Sequence, residues 1–130
     1  MLSVDTNVIV RYLVRDDLTQ ATRVDNLLLN NPVWVPKTVL VETECVLRGS
    51  YLLDRDRIAP LLRALAGIPN IHLEAEFDVS LALDWFAEGM DFADALHLAS
   101  SSRATQFVTF DRRLAAKAAK LTPARVLLLH

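Results

Sequence analysis

Short apolar segments alternate with helical patterns along the whole chain, and this alternation limits the possible folds more than any other feature. The segments span residues 1–4, 33–35, 71–73, 107–109 and 126–129, and the runs between them carry apolar residues at helical spacing. Strands that alternate with helices are typical of a parallel sheet. The sequence therefore predicts an α/β fold with five strands and about seven helices.

Capping and helix-breaking residues predict the helix boundaries. Asp17 and Thr38 are good N-caps, and either Asp54 or Asp56 caps the fourth helix. Pro60 is compatible with that helix only if it lies in the first turn. The expected helices span about 6–15, 18–30, 38–53, 54–67, 77–89, 91–103 and 112–120.

The composition predicts a single domain over residues 1–130. A chain of this length buries a core without disulfides or metals, and 52% hydrophobic residues with three Gly and five Pro are typical of a compact, regular fold. No apolar run approaches the roughly 20 residues needed to span a bilayer, and the first residues lack the basic segment of a signal peptide. We therefore expect a cytoplasmic protein with no membrane partner.

Cys45 is the only cysteine, so neither an internal disulfide nor a cysteine-based metal cluster is possible. A lone cysteine at an apolar helix position is usually a small core residue. The sequence therefore predicts a buried Cys45 in a protein of a reducing compartment.

The formal net charge of −2 argues at first against a nucleic-acid partner. The balance changes if four acidic residues are gathered in a metal site, because 14 basic residues then face 12 of the 16 acidic ones. Overall charge thus excludes no class of partner, and the positions of the arginines matter more.

Acidic residues follow the first and the fourth predicted strands. Asp5 stands between the apolar start and a helical run, and Asp111 stands between residues 107–109 and another helix. In open α/β sheets, ligands bind just beyond the carboxyl ends of the strands. Either aspartate can simply cap a helix, but two of them at one edge of a sheet favour a functional site.

A third acidic motif contains Asp91 and Asp94, which are three positions apart and share a helix face. Asp91 stands where an N-cap belongs, so capping is its simpler role. Asp94 lies inside the helix among alanines and leucines, where a carboxylate needs a partner or a cation. His97 can approach the same site or remain a partly buried helix residue.

The fourth acidic motif contains Glu42 and Glu44. Glu44 stands four residues before Arg48, which predicts an exposed ion pair on a helix surface. Glu42 has Val39 and Val46 at helical spacing and is expected to point along an apolar stripe. Glu42 is therefore the better candidate for a site.

These motifs stand in the order and approximate spacing of PIN-domain nucleases, and the chain resembles the VapC-type toxins of bacterial toxin–antitoxin pairs. The matching motifs are Asp5-Thr6-Asn7, Glu42 with Val46-Leu47, Asp91-Phe92-Ala93-Asp94-Ala95 and Thr109-Phe110-Asp111. The resemblance implies a three-layer α/β/α fold with a central five-stranded parallel sheet. It also implies an Mg²⁺- or Mn²⁺-dependent endoribonuclease, an inhibitory antitoxin protein and a homodimer.

By position, the resemblance implies an acidic quartet of Asp5, Glu42, Asp94 and Asp111. It implies supporting roles for three further polar residues, and Asp91 competes with Asp94 for direct contact with the metal. The three supporting residues are Thr6, Asn7 and Thr109.

A set of carboxylates without cysteine suits Mg²⁺ or Mn²⁺ rather than zinc. Asp5 and Asp94 are expected as the principal ligands, while Asp111 holds a second ion or binds through water and Glu42 orients water. An RNA substrate, such as a tRNA or another structured RNA, also needs positive charge on the protein. The candidates for that contact are Arg11, Arg15, Arg48, Arg112 and Arg113.

Two other classes of function stay open at the sequence level. One is an Mg²⁺-dependent phosphatase-like enzyme with Asp5 as nucleophile, although such enzymes usually have a second aspartate where this chain has Asn7. The other is a non-catalytic binding module whose acidic residues only form salt bridges. The presence of all four quartet residues favours the nuclease.

The helices around the first strand and Glu42 carry more apolar residues than one core face needs. An amphipathic partner helix can cover such an excess, as antitoxins do in the family that the chain resembles; the simpler interpretation is that these residues are core. They are Val8, Ile9, Tyr12, Leu13, Leu40, Val41, Leu47, Tyr51 and Leu52.

Overall fold

The computed structural model describes all residues from 1 to 130, with five strands and seven helices in the predicted alternation. None of the helices is both long and apolar enough to cross a membrane. The elements are β1 (Leu2–Ser3), α1 (Thr6–Val14), α2 (Leu18–Asn30), β2 (Val33–Val35), α3 (Lys37–Gly49), α4 (Arg55–Ala66), β3 (Ile71–Leu73), α5 (Glu76–Ala87), α6 (Phe92–Ala99), β4 (Phe107–Thr109), α7 (Arg112–Leu121) and β5 (Val126–Leu128).

All strand pairs are parallel, as the alternation predicts. Hydrogen bonds join the strands into a three-stranded sheet in the order β1-β2-β3 and a two-stranded sheet of β4 and β5. The expected five-stranded sheet is therefore not what the hydrogen bonds form. Each strand is only two or three residues long, and an apolar pattern indicates that a segment is a strand without indicating its neighbour.

The chain divides into two compact units, Met1–Glu76 and Phe77–His130. In the first unit, α1 packs on α2 and on α3, and β2 places Val33 and Val35 in the core. In the second unit, the rings of Phe86 and Phe92 meet edge to face with centroids 5.5 Å apart. This geometry is one that aromatic pairs prefer.

The N-caps of α2 and α4 confirm two predicted helix starts. Asp17 accepts a hydrogen bond from the amide of Gln20, and Asp54 accepts one from the amide of Arg57. The predicted cap at Thr38 is wrong, because α3 already begins at Lys37 after Pro36 and has no side-chain cap. The fixed φ of proline suits that position without a cap.

Two helices end earlier than predicted, and a third contains a proline in an unexpected position. Helix α3 ends at Gly49 rather than near residue 53, since Leu52 adopts a left-handed φ of 57° and the amide of Leu53 turns back to the carbonyl of Leu47. Helix α6 ends at Ala99 rather than near residue 103, and Pro60 lies beyond the first turn of α4. A buried face that includes Ile58 and Leu62 keeps α4 helical despite the proline.

Candidate active site

The first unit holds one group of predicted site residues at the start of α1. Asp5 is the N-cap, and its Oδ1 accepts a hydrogen bond from the amide of Val8 at 3.4 Å. Both Asp5 and Asn7 are exposed, and Oδ2 of Asp5 accepts no hydrogen bond within the protein. The cap explains why the chain turns from strand to helix here, and it still leaves one carboxylate oxygen free for a ligand.

Thr6 links this helix start to α3. Its side chain is buried, and its hydroxyl donates a short hydrogen bond to Oε1 of Glu42. Glu42 itself is exposed. Since Thr6 directly follows Asp5, this hydrogen bond places the Glu42 carboxylate at the end of α1 that carries Asp5. We call Asp5, Thr6 and Glu42 the first carboxylate group.

The surroundings of Glu42 and Glu44 are the reverse of those predicted. Glu42 lies on the exposed side of α3, whereas Glu44 is 2% exposed. The predicted pair with Arg48 does form, with Nε 2.8 Å from Oε2 of Glu44. Glu44 is buried because it shares a helix face with Leu40 and Leu47, both of which lie in the core.

The second unit holds the other predicted acidic residues. The Asp94 carboxylate is half-buried and accepts no hydrogen bond from the protein. Burial raises the pKa of Asp94 above its ordinary value, and the negative charges of Asp91 and Asp111 raise that pKa further, while His97 acts in the opposite direction. A carboxylate held near two others without a donor is a group that a cation can stabilise.

Capping hydrogen bonds hold two of these neighbours in place. Oδ1 of Asp91 accepts from the amide of Asp94 at 3.0 Å, so its expected role as a cap is confirmed. Oδ1 of Asp111 accepts from the amides of Arg113 and Leu114 at 2.9 and 3.0 Å. In both side chains Oδ2 accepts no hydrogen bond. We call Asp91, Asp94 and Asp111 the second carboxylate group.

Thr109 supports Asp111 through the backbone. Its hydroxyl accepts a hydrogen bond from the amide of Asp111 at 3.0 Å. This contact fixes the turn between β4 and α7, and the capping bonds of Asp111 then fix its side chain. Thr109 therefore helps to position the Asp111 side chain, and its role in a reaction stays a prediction.

The donor chemistry of both groups fits Mg²⁺ or Mn²⁺. Mg²⁺ keeps several waters and binds through one or two carboxylates together with substrate phosphate oxygens. No three His, Cys, Asp or Glu side chains come close enough to hold an ion by themselves. The Asp94 carboxylate, unpaired and close to other acidic residues, has the chemistry of a ligand for a partly hydrated ion.

Cys45, predicted to be buried, is exposed.

The five candidate arginines fall into two sets. Arg11, Arg15 and Arg48 each have acidic partners within the protein. Arg15 pairs with both carboxylate oxygens of Asp25, at 2.9 and 2.6 Å. Arg112 and Arg113 are exposed and form no ion pair, so they are the better placed of the five to contact RNA phosphates.

Phe110 is a candidate that the sequence patterns did not indicate as a site residue. Its ring is 73% exposed, directly between Thr109 and Asp111. Its only signal in the sequence is this place between two polar residues at the end of a strand. Exposure of the ring could not be read from that pattern, since aromatic residues beside strands are usually core.

The profile of the PIN domain family matches residues 2–120. No curated protein sequence matches the chain. The matched segment includes both carboxylate groups, with Asp5 near its beginning and Asp111 near its end. Members of this family are generally nucleases, and the match covers most of the 130 residues. The chain therefore belongs to the PIN domain family.

Proposed function

We propose that this protein is a cytoplasmic, Mg²⁺- or Mn²⁺-dependent endoribonuclease of the VapC type, a toxin inhibited by a cognate antitoxin. The family membership supports a nuclease, and the resemblance of the motifs to VapC-type toxins supports the finer assignment. The observation that carries the proposal is the unpaired, half-buried carboxylate of Asp94 beside Asp91 and Asp111. Such a group is costly to the fold unless a cation binds there.

In this proposal residues 1–130 act as one functional domain, and each quartet carboxylate has the role that the family resemblance implies. Asp5 and Asp94 are the principal metal ligands, Asp111 binds a second ion or acts through water, and Glu42 orients water. A divalent ion held by such carboxylates would supply the activation of water and would offset the charge that builds on the scissile phosphate.

The remaining side chains keep the carboxylates in place. The Thr6 hydroxyl holds one oxygen of Glu42 and leaves the other for a water molecule. The Thr109 hydroxyl accepts a hydrogen bond from the amide of Asp111, and the amides at the start of α7 hold the Asp111 carboxylate through Oδ1 only. The reacting groups thus keep their orientation before substrate arrives, which lowers the cost of reaching the transition state.

An apolar surface supports the antitoxin part of the proposal. Ile9, Leu40 and Leu47 are core residues, which corrects part of the predicted excess. The other predicted positions are not fully buried: Tyr12, Leu13, Val8, Val41 and Tyr51 are half-buried, and Leu52 is 83% exposed. An amphipathic antitoxin helix that covers these side chains would remove apolar surface from water. A homodimer is part of the same proposal.

The deciding experiment is RNA cleavage by the purified, antitoxin-free protein. A structured RNA such as a tRNA should be cut with Mg²⁺ or Mn²⁺ and left intact in EDTA. Asp94→Asn should abolish cutting, whereas Glu88→Gln, which removes an exposed acidic residue of the same unit, should not. Cutting that persists in EDTA contradicts the proposed mechanism. Turnover of a phosphomonoester without RNA cleavage favours the phosphatase-like alternative.

A further inference from the structure

Helix α7 carries basic side chains that have no acidic partner. Arg113, Lys117 and Lys120 follow one another at spacings of four and three residues and so lie on one side of the helix. None of the three forms an ion pair or a side-chain hydrogen bond, and α7 contains no acidic residue. The buried Leu114 and Ala118 anchor the helix on another side. We call the three cations the α7 basic stripe.

The α7 basic stripe starts beside a residue of the second carboxylate group. Asp111 is the N-cap of α7, so Arg113 stands two residues after it. From Arg113 to Lys120 the helix rises about 10 Å. At about 3.4 Å per phosphate of a stacked strand, this length matches about three nucleotides. The α7 basic stripe therefore presents positive charge along a path that ends at Asp111.

Phe110 adds a stacking surface at the same end of α7. It precedes Asp111, its ring is 73% exposed, and it contacts no other aromatic ring. An exposed phenyl ring contributes little buried apolar area to the core. Proteins that bind single-stranded nucleic acid combine such rings, on which bases stack, with cations that follow the backbone.

We propose that Phe110 and the α7 basic stripe form a track that binds single-stranded RNA and leads it to Asp111. This inference rests on the proposed ribonuclease function and names the part of the substrate that the site holds. Phe110 stacks on one base, and Arg113, Lys117 and Lys120 contact successive phosphates. Since neither contact reads the edge of a base, the track binds with little sequence preference.

The stripe is tested by the salt dependence of RNA binding. Binding of a labelled single-stranded RNA of about 12 nucleotides is followed by fluorescence anisotropy at several NaCl concentrations. EDTA is present so that no divalent ion competes at the phosphates. Each phosphate contact contributes about 0.7 to the slope of log K against log salt. The triple variant Arg113→Gln, Lys117→Gln, Lys120→Gln should therefore lower that slope by about 2.

A matched triple variant controls for net charge. Arg23→Gln, Arg103→Gln and Arg125→Gln together remove the same charge from exposed arginines that form no ion pair. Arg103 and Arg125 precede β4 and β5, so they lie at the strand ends opposite to Asp111. This control should keep the wild-type slope. Equal slopes for the two triple variants would show that only overall charge matters and would overturn the stripe.

The stacking contact is tested with single substitutions of two exposed phenylalanines of the same unit. In Phe110→Leu, the loss of one base–aromatic contact should weaken RNA binding by roughly 5- to 150-fold. Phe110→Tyr keeps an aromatic ring and should bind RNA as wild type does. Phe77 is 80% exposed at the start of α5, and Phe77→Leu should leave binding unchanged. Equal affinities for Phe110→Leu and wild type would overturn the stacking role.

Cleavage with Mg²⁺ is scored separately on the same proteins, after thermal unfolding has shown that each variant is folded. If wild type cuts RNA while the Phe110 and stripe variants bind it normally, the track is wrong and the ribonuclease proposal stands. If wild type cuts no RNA, the ribonuclease proposal is wrong, and the track proposal, which depends on it, is wrong as well. Loss of both binding and cutting in the variants, with both controls intact, supports the track.

Discussion

The hydroxyl of Thr6 donates a hydrogen bond to the carboxylate of Glu42, although the two residues lie on different helices and far apart in the sequence. Thr6 is buried where α1 packs on α3, and Glu42 is exposed. Packing restricts the buried Thr6 side chain. Its hydrogen bond therefore also restricts the exposed Glu42 carboxylate, which would otherwise be free to move. Glu42 thus acquires a fixed position beside Asp5, which an exposed glutamate on a helix surface would not have by itself.

Removal of the Thr6 hydroxyl should therefore reduce cleavage more than stability. Thr6→Val keeps the size of the side chain, and the loss of one hydrogen bond to a solvent-exposed acceptor costs about 1 kcal/mol of unfolding free energy. We expect kcat/KM for RNA to fall at least about tenfold, which corresponds to about 1.4 kcal/mol of transition-state stabilisation. Thr6→Ser keeps the donor and should retain most activity. Equal kcat/KM for Thr6→Val and wild type would show that the hydrogen bond has no catalytic role.

Substitutions of Glu42 and Glu44 should separate function from stability. Glu44→Gln leaves a buried side chain without its charged contact to Arg48, and we expect a loss of roughly 1–3 kcal/mol in urea unfolding. Arg48 is 57% exposed and can be solvated again, which limits the cost. Glu42→Gln should leave the unfolding free energy nearly unchanged and abolish cleavage. The opposite pattern, with cleavage lost only in Glu44→Gln, would make Glu44 the functional residue.

Asp5→Asn tests whether Asp5 is more than a helix cap. Asparagine caps about as well as aspartate, so the metal-free protein should be as stable as wild type. If Asp5 binds the ion, cleavage should be lost and the increase in melting temperature caused by millimolar Mg²⁺ should shrink, because an ion stabilises only the state that binds it. Melting is measured with and without Mg²⁺. Normal cleavage by the variant would return Asp5 to a purely structural role.

Asp16 gives a prediction for the dependence of stability on pH. The hydrogen bond from the Tyr51 hydroxyl, followed by the charge of Arg11, lowers the pKa of Asp16 below its ordinary value of 3.8. The native state therefore binds this proton less readily than the unfolded state does. The stability that Asp16 contributes is complete above its ordinary pKa and is lost as the pH falls through the lowered one.

Tyr51→Phe should reduce this loss of stability on acidification, since it removes the largest cause of the lowered pKa. Urea unfolding of wild type and variant is compared from neutral pH down to about pH 3. The difference between their unfolding free energies should be largest near neutral pH and smallest at the acid end. A difference that does not vary with pH would mean that Tyr51 does not act through the charge of Asp16.

The order and the type of the elements could be predicted from the sequence, and so could most of the caps. Val33–Val35 and Phe107–Thr109 are strands, and Asp17 and Asp111 cap helices, because these features depend on residues a few positions apart. At the end of α3, where the prediction failed, a longer contact accompanies the early end of the helix. That contact is the bond from the amide of Leu53 to the carbonyl of Leu47.

The tertiary structure alone decided which acidic side chain is buried and which is free. Glu42 and Glu44 are two positions apart on one helix, and only the direction of the packed face distinguishes them. Packing also decided that Arg48 forms an ion pair with Glu44 and that Phe110 remains exposed. The sequence by itself determined the order of the elements and the positions of the acidic residues at strand ends and helix starts. Their exposure and partners depend on packing between segments distant in the chain, which a local pattern does not contain.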